Sequence, residues 1–184
     1  MTVMMMTKIT RVIDEAEVPK GVNAELREGK LTIKGPKGNL SRTFFHPRIK
    51  MTLSKGKITV ETRMASLREK ALVGTWIAHT RNMIRGVQEP FTYRMKAVYA
   101  HFPVKMMVKG NELVIENFLG ERHPRRAAIL GETKVTITGQ ELVLVNPSLE
   151  LVGQTAANIE NATRIRNRDP RIFQDGIFIT SKGE

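Results

Sequence analysis

One pattern of residues occurs twice in this chain, and that repetition limits its fold more than any other feature. Val22-Asn23-Ala24-Glu25-Leu26 followed by Gly29-Lys30-Leu31-Thr32-Ile33 is answered by Val104-Lys105-Met106-Met107-Val108 followed by Asn111-Glu112-Leu113-Val114-Ile115. Val104, Leu113, Ile115 and Gly120 follow Val22, Leu31, Ile33 and Gly38 at one constant offset. Met51-Thr52-Leu53 through Lys57-Ile58-Thr59-Val60 returns as Val135-Thr136-Ile137 through Glu141-Leu142-Val143-Leu144, with the offset slightly longer, as a small insertion would make it. Leu72-Val73-Gly74 returns as Leu151-Val152-Gly153, and at that same shorter offset Asn82 falls on Asn161. Matches in one order, shifted only slightly, describe the duplication of a unit of about 80 residues, a size that can fold alone.

Each copy reads as strands followed by a helix. Leu31-Thr32-Ile33-Lys34, Ile58-Thr59-Val60-Glu61 and Leu142-Val143-Leu144-Val145 are β-branched or alternating. Glu28-Gly29, Lys55-Gly56 and Lys109-Gly110-Asn111 supply the turns of antiparallel hairpins. Gly35-Pro36-Lys37-Gly38 is a further turn, because no Lys-Ser/Thr and helix follow it as a phosphate-binding loop would require. Ser66-Leu67-Arg68-Glu69 has the form of a capping box, and Leu67, Ala71, Gly74 and Ala78 then recur at helical steps to a stop near Gly86, with Pro90 beyond. In the second copy Asn146-Pro147 forms the expected cap and first helical position, with Leu149, Val152, Ala156 and Ile159 as the buried stripe. The expected class is α+β: two tandem copies of a small antiparallel β-sheet with one helix packed on one face. The expected domains are residues 1–89, a first repeat with an N-terminal strand, and residues 90–184, a second repeat with an arginine-rich C-terminal extension.

With 41% hydrophobic and 26% charged residues the chain has the balance of a protein that buries a core. It carries 30 Lys and Arg against 18 Asp and Glu, a net charge of +12, which points to a polyanionic partner. A membrane surface would also attract it, but there is no 18-residue apolar run, no signal-peptide core and no basic amphipathic helix of interfacial type. Met1 to Met6 reads as a frayed end. The chain has no cysteine, which excludes disulfides, thiolate zinc sites and cysteine nucleophiles and suits the cytosol.

Catalysis needs converging groups, and few are available. His46, His79, His101 and His123 are scattered without ligand spacing, so a solvated or hydrogen-bonded histidine is the expectation for each and no metal or cofactor is implied. Ser41, Ser54, Ser66, Ser148 and Ser181 lack a nucleophile-elbow setting, and Asp14-Glu15 is a charged surface pair. A free-standing RNA enzyme or chaperone would share the charge, but would need an acid or metal cluster that the sequence lacks.

The basic residues are unevenly placed. Residues 1–92 carry a net charge of +9 and residues 93–184 a net charge of +3, so bulk charge alone favours the first copy. Clustering favours the second. Arg122-His123-Pro124-Arg125-Arg126 falls in a connection between strands, and Arg164, Arg166, Arg168 and Arg171 gather at the end of the second helix and beyond, interrupted by Asp169. Arginine's planar fork holds phosphate bidentately. Positive charge is also what a helix C-terminus favours through its dipole. Aromatic residues for stacking on bases are sparse. Phe91, Tyr93, Tyr99 and Phe102 surround the start of the second copy, and the alternation in Phe91-Thr92-Tyr93-Arg94-Met95 suits a strand in a core better than base stacking. Recognition of folded RNA by shape and backbone is therefore expected.

Asn82-Met83-Ile84-Arg85-Gly86-Val87, then Phe91-Thr92-Tyr93-Arg94-Met95-Lys96-Ala97-Val98-Tyr99-Ala100-His101-Phe102-Pro103, closely resemble the ribosomal protein L-six family of the large subunit, in its archaeal and eukaryotic branch. Leu31-Thr32-Ile33-Lys34-Gly35-Pro36-Lys37-Gly38 is similar to that family's first hairpin, and the resemblance runs from about Val12 to Ile179. It implies a cytoplasmic protein without catalytic activity, cofactor or small-molecule substrate. Its two α+β domains would lie on large-subunit ribosomal RNA beside the proteins of the stalk base and near the sarcin-ricin loop. Carried over by position, the resemblance favours Lys105, Lys109, Arg164, Arg166, Arg168 and Arg171 as RNA contacts. Arg168-Asp169-Pro170-Arg171-Ile172-Phe173-Gln174-Asp175-Gly176-Ile177 differs from the Pro-Tyr-Lys-Gly ending of the bacterial branch, so bacterial contacts do not transfer there.

Overall fold

A computed structural model describes residues 9–183 apart from Lys55, His101, Asn167 and Pro170. The expected frayed end at Met1 to Met6, the turn role of Lys55 and the solvated His101 lie outside the described residues. The chain divides into two compact units between Glu89 and Pro90.

The first unit runs β1 (Ile9–Glu17), β2 (Asn23–Arg27), β3 (Lys30–Gly35), β4 (Gly38–Thr43), β5 (Ile49–Ser54), β6 (Lys57–Ala65) and α1 (Leu67–Gln88). Its strands form two antiparallel three-stranded sheets, β1-β6-β5 and β2-β3-β4, rather than one. Their inner faces and α1 close a single core, in which Leu31 and Ile33 of β3, Ile58 and Val60 of β6, and Val73 and Ile77 of α1 are fully buried. The helix starts as its sequence dictates: Ser66 Oγ accepts from the Glu69 amide at 3.3 Å, and Glu69 Oε2 accepts from the Ser66 amide at 2.7 Å. At the other end the Lys37 amide donates to the Val87 carbonyl at 3.0 Å, seating the helix terminus on the β3–β4 hairpin. Gly35 permits that approach, since a Cβ there would lie 2.7 Å from Val87 Cγ2 and 2.8 Å from Val87 O.

The buried stripe of α1 is not the expected one. Leu67, Ala71, Gly74 and Ala78 all face solvent, Leu67 at 74% exposure. The core takes Val73, Trp76, Ile77, Thr80, Met83, Ile84 and Val87 instead. Both sets recur at three- and four-residue steps, and the bulkier one removes far more apolar area from water. Thr80 is tolerated there because its hydroxyl donates to the Trp76 carbonyl at 2.9 Å.

The second unit runs β7 (Phe91–Val98), β8 (Lys105–Lys109), β9 (Glu112–Glu116), a 3-10 turn (Phe118–Gly120), β10 (Arg125–Ala128), β11 (Lys134–Thr138), β12 (Glu141–Asn146), α2 (Leu149–Ala162) and β13 (Gly176–Ser181). The sheet β10-β9-β8 repeats β4-β3-β2, and β11-β12-β7 repeats β5-β6-β1. One strand, β13, is added against the free edge of β7. The core repeats residue for residue: Leu113, Ile115, Leu142, Leu144, Val152, Ala156 and Ile159 are fully buried at the positions of Leu31, Ile33, Ile58, Val60, Val73, Ile77 and Thr80. Phe91 and Met95 of β7 lie in this core as the alternation of that strand requires.

The N-cap of α2 is Ser148, not Asn146, so Pro147 precedes the cap. Ser148 Oγ accepts from the Leu151 amide at 3.4 Å, while Asn146 is buried, donates to Thr133 Oγ1 at 3.0 Å and accepts from the Ser148 amide at 2.6 Å. A buried amide group with a partner across the sheet outcompetes a capping role.

Candidate nucleic-acid interface

The arginines that follow α2 are set outward by local alternation. Thr163 is buried and Ile165 partly buried against the core, so Arg164 and Arg166, one residue after each, face solvent. Thr163 fixes the exit from the helix. Its hydroxyl hydrogen-bonds to the carbonyls of Ile159 and Glu160 at 3.3 and 3.1 Å and accepts the amide of Ile177 at 3.1 Å. The returning strand β13 is thereby pinned to the point where α2 stops. Between these ends, Asp169 shapes a turn: its carbonyl accepts from the amides of Ile172 and Phe173, and its Oδ1 accepts from the Arg171 amide at 2.9 Å. The acid that interrupts the arginine cluster is therefore the residue that folds it.

Arg125 draws the two arginine clusters together. Arg122 lies in the connection before β10, whereas Arg125 and Arg126 belong to the strand itself, which revises the expectation that the whole segment is a connection. The guanidinium of Arg125 donates through Nε and Nη2 to both oxygens of Glu121, at 2.8 and 2.6 Å. Its Nη1 donates to the carbonyls of Ala162 and Arg164, each at 3.0 Å, and its carbon lies 4.3 Å from the centroid of the Phe118 ring. Positive charge at the C-terminus of α2 is thus supplied from β10. Arg164 and Arg166 are not needed for that role, and their side chains make no hydrogen bond or ion pair among the described residues.

The result is a concavity of about 370 Å³ lined by Arg125, Arg126, Asn161, Ala162, Arg164 and Arg166. Arg126 carries only an exposed pairing with Glu112 at 3.6 Å, which solvent screens heavily. Arg168 lies over the Phe173 ring at 4.8 Å, and Arg171 is 91% exposed with a 3.9 Å contact to Asp169. Arg122 is exposed. Lys105 and Lys109 do not join the concavity. They lie on β8, at the far edge of the sheet from β10 and roughly two strand spacings away, opposite Glu116 and Glu112.

Glu121 is the acid built into this arrangement. Its hydrogen bonds from Arg125 hold its carboxyl below the ordinary value of 4.5; partial burial opposes this, and the charges of Arg125 and Arg168 reinforce it. A carboxyl with a lowered pKa contributes stability that is complete above its ordinary value and is lost as pH falls through the lowered one. Glu121→Gln is therefore expected to destabilise the protein at pH 7 by about 0.5–1 kcal/mol, a figure reduced for screening of an exposed pair. In urea titrations the gap from wild type seen at neutral pH should be absent at a pH acid enough to protonate the Glu121 carboxyl. A gap of equal size at both pH values would show that the carboxylate charge contributes nothing.

Sequence reasoning did not single out Glu121 or Asn161. The spacing of four from Glu121 to Arg125 and the match of Asn161 with Asn82 were the available signals. Among the described residues no group of three or more His, Asp or Glu is placed to hold a metal ion, and no helix is long and apolar enough to cross a membrane.

The sequence pattern of the family described as ribosomal protein L6 matches this chain twice, over residues 18–90 and 102–176. The chain belongs to the ribosomal protein L6 family. Among family members, the large ribosomal subunit protein uL6 of Methanosarcina mazei is 49% identical over 97% of this chain and 99% of its own length. That of Methanocella arvoryzae is 53% identical over 92% of this chain and 97% of its own, and that of Archaeoglobus fulgidus 45% identical over 94% and 92%. The two family matches cover the two copies found by internal comparison, and the arginine segment from Arg164 to Arg171 lies inside the second.

Proposed function

We propose that the chain is a non-catalytic constituent of the large ribosomal subunit in the cytoplasm and that its second unit holds ribosomal RNA through the arginines around the end of α2. The observation that carries this reading is the concavity in which Arg126, Arg164 and Arg166 present donor groups around a frame held by Arg125. Forks spread over a concave surface suit phosphate oxygens on folded RNA, which fix position through backbone and shape. Arg122, Arg168 and Arg171 extend the same basic surface. Lys105 and Lys109 form a separate contact at the β8 edge. Arg125 acts as the positioning residue. The stalk base beside the sarcin-ricin loop is the location proposed, with neighbouring ribosomal proteins as further partners, and the more basic first unit makes secondary contacts.

Sedimentation tests the reading directly. Tagged protein should travel with large subunits at physiological salt and be stripped by high salt, since phosphate contacts are lost as counterions return. Protein that sediments apart from large subunits at physiological salt would refute it.

A further inference from the structure

The two copies differ at one sheet edge. In the second unit β7 pairs on one side with β12 and on the other with β13. Its counterpart β1 pairs with β6 alone among the described residues. Ala16 opposite Ile58 answers to Met95 opposite Leu142, so Ile13, Glu15 and Glu17 stand at the positions of Thr92, Arg94 and Lys96, along which β13 runs. The Val18 amide donates to the Gly56 carbonyl in line with β6, and the bonding in antiparallel pairs alternates. The even residues of β1 therefore bond β6, and the amides and carbonyls of Ile13, Glu15 and Glu17 point away from it. At Glu15 these groups are engaged, the amide by Asp14 Oδ1 at 2.8 Å and the carbonyl by Arg81 Nη2 at 2.9 Å. The matching carbonyl of the second copy is also held by a side chain: Thr180 Oγ1 donates to Arg94 O at 3.0 Å, and β13 shifts register in passing it. A strand along β1 can in the same way leave the Glu15 carbonyl to Arg81.

An apolar wall accompanies this edge. α1 leaves β6 next to Ala65, the register partner of Ile9, and reaches Glu15 with Arg81. The stretches Leu67 to Arg81 and Ile9 to Glu15 are each about 20 Å long, so the helix follows the strand. Gly74 and Leu67 lie about two and about four turns before Arg81, on its side of the helix, with Ala71 and Ala78 adjoining. All four are exposed, Leu67 at 74%, and a Cβ on Gly74 would meet nothing within 4 Å. In the copy that holds β13, the counterparts of Gly74 and Ala78, Gly153 and Ala157, are partly covered. An open strand edge beside exposed apolar side chains is what strand addition uses. Charge selects polypeptide over RNA, because Asp14, Glu15 and Glu17 line this edge and repel phosphate, and the cations beside them, Arg81 and Lys57, are already paired with them. We propose that the β1 edge receives an extended segment of another protein as a fourth strand, antiparallel like β13. Its alternate residues are aliphatic and lie against Ala71, Gly74 and Ala78, and its other face carries a Lys or Arg beside Glu15 and Glu17. The inference rests on the proposed function for that partner's being a ribosomal neighbour, and gives it a place on the first unit.

The probe is a labelled peptide of residues 174–183, which carries Ile177 and Ile179 on one face and Lys182 on the other. Fluorescence anisotropy with the full chain reads binding, and amide hydrogen exchange locates it. Wild type should bind the peptide and slow exchange at Ile13 and Glu17. Ile13→Pro removes an outward amide at an edge position that accepts proline, so it should weaken binding about tenfold while Trp76 fluorescence stays unchanged. Ala78→Gln, at an exposed helical position, should weaken it severalfold. A peptide with Ile177→Ser and Ile179→Ser should bind at least about tenfold less tightly than the original. No binding by wild type, protection confined to the second unit, or full binding by Ile13→Pro would overturn the inference. So would a dimer of the full chain that Ile13→Pro dissolves, which assigns the edge to a second copy, or large-subunit RNA that protects the same β1 amides. Wild type that binds no peptide yet sediments with large subunits loses this docking site alone. Peptide binding by a protein that sediments apart from large subunits keeps the edge and removes only the ribosomal neighbour.

Discussion

Changing Arg164, Arg166, Arg168 and Arg171 together to alanine is expected to flatten the salt dependence of RNA binding by up to about 3.6 in log-log slope, at about 0.9 per phosphate contact on a duplex. Between 50 and 200 mM salt the wild type should then lose about two orders of magnitude more affinity than the variant. The four side chains carry no structural duty that would confuse the result. Arg164 and Arg166 are unpaired among the described residues, Arg168 rests on an aromatic face, and the Arg171 contact with Asp169 is exposed. Thermal stability should stay within about 0.5 kcal/mol of wild type. Filter binding to large-subunit RNA across a salt series reads the slope, and an unchanged slope would remove these residues from the interface.

Gly35→Ala is expected to destabilise the first unit strongly. The new Cβ would meet the backbone carbonyl and the stiff β-branched side chain of Val87, which is fully buried, so neither neighbour can move away. Overpacking of this kind destabilises by about 2–3 kcal/mol, and for a unit of this size that lowers the melting temperature by about 10–20 °C. The readout is built in. Trp76, the only tryptophan of the chain, is buried in the core of the first unit with its ring 5.2 Å from that of Phe44. Its fluorescence therefore reports this unit. Gly74→Ala is the control, at an exposed helical position with open space around it, and should raise stability by about 0.5–1 kcal/mol. Equal effects from both substitutions would mean that the Gly35 contact is not close in solution.

Much of this fold is legible in the sequence because the duplication writes each structural requirement twice. The offset that carries Leu151-Val152-Gly153 back onto Leu72-Val73-Gly74 also carries the α2 stripe, Val152-Ala156-Ile159, onto Val73, Ile77 and Thr80, the true buried face of α1. Periodicity alone misleads within the first copy, because Leu67, Ala71, Gly74 and Ala78 also make a helical stripe, and only the bulk of Val73, Trp76, Ile77 and Met83 ranks the two. Two sheets per unit, rather than one, follow from long-range pairing of β1 with β6, which strand patterns do not encode. The strand β13 has no counterpart in the first copy, so comparison of the repeats could not supply it. For the interface, the arginine clusters are visible as sequence, but their convergence is not. It depends on Arg125 reaching the carbonyls of Ala162 and Arg164 across 37 and 39 residues of chain.

The hydroxyl of Thr163 accepts the amide of Ile177 and so ties the two ends of the 164–176 loop together. Inside it Asp169 holds a turn, and Ile165 and Phe173 are anchored to the core. The ordering entropy of Ile165, Asp169 and Phe173 is therefore met when the protein folds, not when it meets a partner. Its association with a polyanion then has the thermodynamics of two finished surfaces docking. The heat-capacity change scales with the area covered and takes no folding component from these three residues.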